Sequence, residues 1–198
     1  EVQNLQNNEL KDTFFSEKYF NDIVDTLKIK KNIILQGPPG VGKTFIAKKI
    51  ARRMTTNKSN IFSLQFHQSY SYEEFVIGYK PDKEGKFVIQ KGALYKACDE
   101  AIQKPDEDFV MFIDEINRAN ISKVFGELLS LIENDKRGED NSLKILYTDE
   151  SQNFYIPSNL YFICAMNTAD RSLKMVDYAL RRRFAFFEFE PEFDNPEF

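Results

Sequence analysis

Side chains that ligate soft metals are scarce in this sequence. It has one histidine, His67, and two cysteines, Cys98 and Cys164, among 198 residues. A zinc or iron–sulfur centre needs about four such ligands close together, so that class is excluded. His67 has no partners for a metal role and reads as structural. Two cysteines on separate elements are core thiols rather than a disulfide framework, which points to a reducing, cytoplasmic setting. Also missing is any apolar run near the roughly 20 residues of a membrane span, and any secretory leader, so no membrane role is expected. Excess positive charge is lacking too. Lys and Arg number 27 against 31 Asp and Glu, a net charge of -4. A domain that lives on nucleic-acid phosphates is usually basic. This segment is not expected to grip DNA alone, though a central patch in an oligomer stays open.

What is present is a globular composition, 42% hydrophobic and 29% charged, with enough chain for one sizeable core and no internal repeat. The first residue is Glu1 and the tail, 191–198, is acidic and proline-containing. This reads as a piece of a longer protein. The expected organisation is a lead-in and helix over 1–30, a nucleotide domain over 31–190, and a tail over 191–198 running toward a helical lid that the chain lacks.

The most informative stretch is Gly37-Pro38-Pro39-Gly40-Val41-Gly42-Lys43-Thr44, which fits G-x-x-x-x-G-K-[ST]. It follows a short apolar segment, Asn32 to Gln36. It precedes Ile46, Ala47, Ile50, Ala51 and Met54, which share one helical face. Strand, glycine loop and helix form a phosphate cradle. Backbone N–H groups at the positive end of a helix replace the water lost by a triphosphate. Glycines permit the close approach, and Pro38 and Pro39 stiffen the loop. Lys43 is assigned to the β- and γ-phosphates and Thr44 to Mg²⁺.

Apolar spacing predicts a helix over 17–27 and a strand over 61–66. It predicts a turn at 81–85, a short strand at 87–90, and a helix through Leu94, Tyr95, Cys98, Ala101 and Ile102 that Pro105 ends. Residues 69–79 have no clear assignment. Phe109 to Ile113 is apolar without alternation, as in a strand of a parallel sheet buried on both faces. Asn120 reads as an N-cap to one helix carrying Ile121, Val124, Phe125, Leu128, Leu129 and Ile132. Residues 143–147 and 154–156 suggest a hairpin. Leu160 to Met166 is another buried strand, 176–183 a short helix and 185–190 a last strand. Alternating strands and helices predict an α/β fold with a mostly parallel sheet.

An acidic pair after a strand commonly caps the next element. Downstream of a phosphate loop, Asp114-Glu115 reads as the second half of a nucleotide site. Asp114 serves the metal, and Glu115 orients or deprotonates the attacking water. Asn167 ends the next buried strand, where ligands sit in such sheets. Its amide suits a water held against the γ-phosphate. Arg181-Arg182-Arg183 follows the apolar Tyr178-Ala179-Leu180 and reads as an arginine finger for a neighbouring subunit, with Arg182 and Arg183 favoured.

Beyond the loop, the strings FHQSYSYEEF (66–75), IDEINRANISKVFG (113–126), MNTADRS (166–172) and VDYALRRRF (176–184) resemble the AAA+ domain of McrB-type GTPase subunits of modified-cytosine restriction systems. The resemblance runs from Lys31 to the C-terminus. It implies a P-loop NTPase of the AAA+ class, large subdomain only, that hydrolyses GTP with Mg²⁺ in a ring, expected to be a hexamer. It implies a McrC-like partner that stimulates hydrolysis and carries the nuclease. DNA would be read by a separate domain absent from this chain and translocated before cleavage. Residue by residue, it implies phosphate and Mg²⁺ roles for Lys43 and Thr44, metal and water roles for Asp114 and Glu115, and a sensor role for Asn167. It implies phosphate contacts, within or between subunits, for Arg118, Arg182 and Arg183.

Asn167-Thr168-Ala169-Asp170 looks like a guanine-reading N-K-x-D motif. However, three residues span at most roughly 10 Å, too little to run from the γ-phosphate to the base. Asp170 and Arg171 are better placed at a subunit interface, and Leu10 to Phe14 is the candidate base-pocket segment. Two other readings are an ATP-driven remodelling protein of the MoxR type, which shares the DEINRA string, and a non-hydrolysing nucleotide-gated scaffold. The intact set Lys43, Asp114, Glu115 and Asn167 counts against the scaffold.

Overall fold

In a computed structural model of the chain, residues 16–146, 153–169 and 178–190 are described. The first helix, α1 (Glu17–Lys30), is capped by Ser16, whose hydroxyl accepts from Tyr19 N at 3.2 Å. It packs Phe20, Ile23, Val24 and Leu27 inward. It outlasts the expected Leu27 by three residues and ends at Lys31, in the left-handed region at φ 66.

Five strands form one parallel sheet: β1 (Asn32–Gly37), β2 (Ile61–Gln65), β5 (Phe109–Asp114), β6 (Leu160–Asn167) and β7 (Ala185–Glu188). Their order is β2-β5-β6-β1-β7. The unbroken apolar run of β5 is explained by burial on both faces. Phe109, Met111 and Ile113 join one core cluster, and Val110 and Phe112 join the other. The second cluster lies under α1 and α2 (Lys43–Met54). The first lies under α4 (Ala93–Gln103) and α5 (Ile121–Phe125). Cys98 and Cys164 are both fully buried in it, and burial pushes both thiols well above the ordinary cysteine range. Ile102, expected on the inner face of α4, is instead 39% exposed.

The unassigned segment 69–79 contains a short helix, α3 (Tyr72–Phe75), whose Glu74 carboxylate accepts from Ser71 N at 3.1 Å. It leads into β3 (Ile77–Pro81), which pairs antiparallel with β4 (Phe87–Lys91) apart from the main sheet. Asp82 closes the expected turn by accepting from Glu84 N and Lys86 N. The helix expected over 121–132 is not continuous. It stops at Gly126 (φ 53, ψ -135) and resumes as a 3-10 turn over Gly126–Leu129. A side chain at 126 would press on the Tyr72 ring. The apolar spacing survives because the tighter turn still delivers Leu128, Leu129 and Ile132 to the core. Of the expected hairpin, the described residues retain one bridge, Leu143 with Phe154, with N–H···O distances of 2.8 and 2.7 Å. The last strand stops at Glu188, and α6 is described over Tyr178–Arg183. Leu10 to Phe14, residues 147–152 of the expected hairpin, Asp170, Arg171, Val176 and the tail 191–198 lie outside the described residues. Among the described residues, no helix is long and apolar enough to cross a membrane.

Candidate nucleotide site

Parallel strands bring their carboxyl ends to one edge of the sheet. Register places Gly37 beside Asn167 and Gln65 beside Asp114. The phosphate loop therefore stands next to the acidic pair and the strand-ending amide. Pro39, Gly40, Gly42, Lys43, Thr44, Phe45, Asp114, Glu115 and Asn167 line a cleft of ≈ 410 Å³, and Pro38 and Val41 complete the loop. Gly40 and Gly42 take φ of 87 and 80, a region that favours glycine. Gly42 is the N-cap of α2 and has no side chain to cap it, so the first N–H groups of α2, at residues that line the cleft, are left for an anion. Gly37 answers a different need: a Cβ there would collide with the Phe189 carbonyl oxygen. That carbonyl is held in place because Phe189 N donates to Gln36 O at 2.8 Å.

Lys43 Nζ donates to Gly37 O at 2.8 Å and Pro38 O at 2.6 Å, so the ammonium already sits inside the loop. Partial burial lowers its pKa, while Glu115 and Asp114 oppose the shift. Thr44 Oγ1 donates to Asp114 Oδ2 at 3.2 Å, and Glu115 N donates to Asp114 Oδ1 at 3.0 Å. A hydroxyl and a carboxylate side by side are hard oxygen donors of the kind Mg²⁺ prefers, so the pair fits that ion. Glu115 occupies the left-handed region, φ 53 and ψ 44, which is uncommon for a residue with a Cβ. That turn swings its carboxylate off the strand axis and toward Arg118, whose Nε lies 3.3 Å from Glu115 Oε2.

The candidate arginines fall into two places. Arg118 is in the cleft neighbourhood beside Glu115. Arg181 and Arg182 are exposed on α6, and Arg183 Nε pairs with Glu133 at 3.0 Å. The Arg183 carbonyl accepts from Asn32 Nδ2 at 2.9 Å, which puts the end of α6 at the start of β1. The loop begins at the other end of that strand, roughly 16 Å away at about 3.3 Å per residue.

Sequence reasoning passed over Asn117. Its Nδ2 donates to Asn167 O at 3.0 Å, while its buried Oδ1 has no hydrogen-bond partner among the described residues. It thus fixes the backbone of the amide that lines the cleft. Its only sequence signal was membership of the DEINRAN string. His67 is exposed and rests on Ser69 and Tyr70.

Residues 32–184 match the AAA domain of the dynein-related subfamily. The chain is 52% identical to the type IV methyl-directed restriction enzyme EcoKMcrB subunit of Escherichia coli K12, over 96% of this chain and 42% of that protein. It is 25% identical to the type II restriction enzyme BsuMI component YdiS of Bacillus subtilis, over 83% of this chain and 58% of that protein. The chain thus spans only about half the length of these curated relatives. A crystal structure of a putative ATPase from Cytophaga hutchinsonii superposes with TM-score 0.60 at 16% identity, over 98% of this chain and 52% of that one, and supports the fold. The chain belongs to the AAA family, in its dynein-related subfamily, and its likeness to a McrB-type subunit extends over 96% of its length.

Proposed function

We propose that this chain is the GTP-hydrolysing motor domain of a modification-dependent restriction endonuclease. The carrying observation is that Lys43, Thr44, Asp114, Glu115 and Asn167 meet in one cleft within a sequence 52% identical to a methyl-directed restriction subunit. Lys43 and the N–H groups at the start of α2 hold the β- and γ-phosphates. Mg²⁺, held by Thr44 and Asp114, neutralises charge on the phosphate oxygens when bound. Glu115 orients the attacking water and takes up its proton, and Asn167 holds that water against the γ-phosphate. Arg118 keeps the Glu115 carboxylate in place. Arg182 and Arg183 act on the nucleotide of the adjacent subunit, because their own loop lies at the far end of β1.

On this reading the domain, 31–190, works in a ring of six with a McrC-like nuclease subunit, and a further domain reads the DNA. Turnover moves DNA before the partner cuts it. Guanine is read by the segment around Leu10 to Phe14 rather than by Asp170.

Thermal stabilisation by Mg·GTP against Mg·ATP tests the nucleotide. Ligand at about 100 times its Kd adds roughly 2.7 kcal/mol to stability. The expected result is a clear shift with GTP and little with ATP. The reverse preference overturns the GTP assignment and favours an ATP-driven remodelling protein.

A further inference from the structure

The amino end of the sheet contains a feature that the nucleotide chemistry does not use. Arg137 is 8% exposed and directs every donor group inward. Its Nε donates to Ile132 O at 2.9 Å, one Nη to Leu160 O at 3.0 Å and Pro157 O at 3.4 Å, and the other Nη to Asn32 Oδ1 at 2.7 Å. Its guanidinium also lies 5.2 Å from the Phe162 ring centroid. Burial lowers its pKa from the usual arginine value, the mark of a charge kept where water is excluded. Among the described residues no carboxylate pairs with it. Burying a charge on carbonyls and an amide is a poor route to stability, since apolar residues of similar volume are often as good or better.

What the arrangement does secure is Asn32, which is fully buried. With its Oδ1 taken by Arg137, its Nδ2 is oriented to donate to both Ile132 O at 2.7 Å and Arg183 O at 2.9 Å. Glu133, one residue past Ile132, holds the Arg183 guanidinium at 3.0 Å. Arg183 is thus gripped at its backbone and its side chain by one cluster, and α6 ends on that grip.

We propose that Arg137 and Asn32 are positioning residues for the arginine helix, setting how Arg182 and Arg183 are presented to the nucleotide of the adjacent subunit. This rests on the reading of the domain as a ring NTPase. Neither residue touches the phosphate. Each acts through the carbonyl and guanidinium of Arg183.

The test uses Asn32→Asp in the full-length, assembled protein. The change keeps volume and the acceptor for Arg137 but removes the donor to Arg183 O. All-variant rings should lose at least tenfold in kcat with KM for the nucleotide within twofold of wild type, because each subunit's own loop is intact. Mixing in Glu115→Gln subunits, which cannot turn over but carry an intact arginine helix, should restore kcat per Asn32→Asp site. If Asn32→Asp does not fold, Glu133→Gln is read in the same way, with a severalfold loss that the same mixing reverses. A variant with wild-type kcat, or a loss that mixing does not reverse, overturns the positioning role and leaves the NTPase reading standing. Wild-type rings no faster than Glu115→Gln rings overturn both.

Discussion

The two ends of β1 solve opposite problems. At the carboxyl end, backbone N–H groups, an ammonium, a hydroxyl and two carboxylates converge on an open cleft, and their bonds to one another can be exchanged for bonds to a phosphate. Among the described residues, Lys43 donates to two loop carbonyls, and the Thr44 hydroxyl to Asp114. At the amino end, Asn32 and Arg137 are buried and every strong donor is committed to a protein acceptor. One end of the strand is arranged to change partners and the other to keep them. Both sit on one stiff strand flanked by parallel neighbours on each side.

This contrast can be broken by mutation, and the largest effect is expected at the closed end. Arg137→Ala leaves the Asn32 amide oxygen without its donor, takes a donor from the Leu160 and Pro157 carbonyls, and leaves the Ile132 carbonyl with Asn32 alone. At about 1–3 kcal/mol for each unsatisfied group, the loss should reach about 4 kcal/mol in a urea denaturation series. At the open end, Lys43→Ala should leave the denaturation midpoint nearly unchanged yet lower turnover about 100-fold, some 2.7 kcal/mol of barrier, in a phosphate-release assay. Gly37→Ala sharpens the comparison, because it is an open-end position with a closed-end reason. Its Cβ meets the Phe189 carbonyl, so it should cost about 2 kcal/mol of stability by overpacking and weaken nucleotide binding as the loop shifts. If Lys43→Ala and Arg137→Ala lower stability equally, the division between the two ends is wrong.

The open end was legible in the sequence because phosphate chemistry demands fixed residue types at short spacing. Gly37 to Thr44 is one contiguous motif, and Asp114 and Asn167 end apolar runs that only a doubly buried strand explains. The closed end was not legible. Asn32 and Arg137 are 105 residues apart and bond largely to backbone carbonyls, which have no sequence identity to read. Asn32 merely opens an apolar segment, and Arg137 belongs to no motif. The break at Gly126 was hidden for a related reason. A 3-10 turn and an α-helix both place apolar residues three apart on one side, so the stripe from Ile121 to Ile132 fits either. The 69–79 segment resisted because its order comes from a side-chain cap at Ser71 and from pairing with β4, neither of which has a periodicity.

One detail of the cleft bears on the natural history of the domain. Glu115 adopts a left-handed backbone that lies about 1–2 kcal/mol uphill for a residue with a Cβ, whereas glycine or asparagine would accept it more easily. Either would relax the turn and remove the carboxylate. Stability and the role proposed for Glu115 in turnover therefore ask for different residues at position 115. Laboratory evolution of this domain for thermal endurance alone, with catalysis unscreened, would find one of its easiest gains at the residue proposed to orient the attacking water.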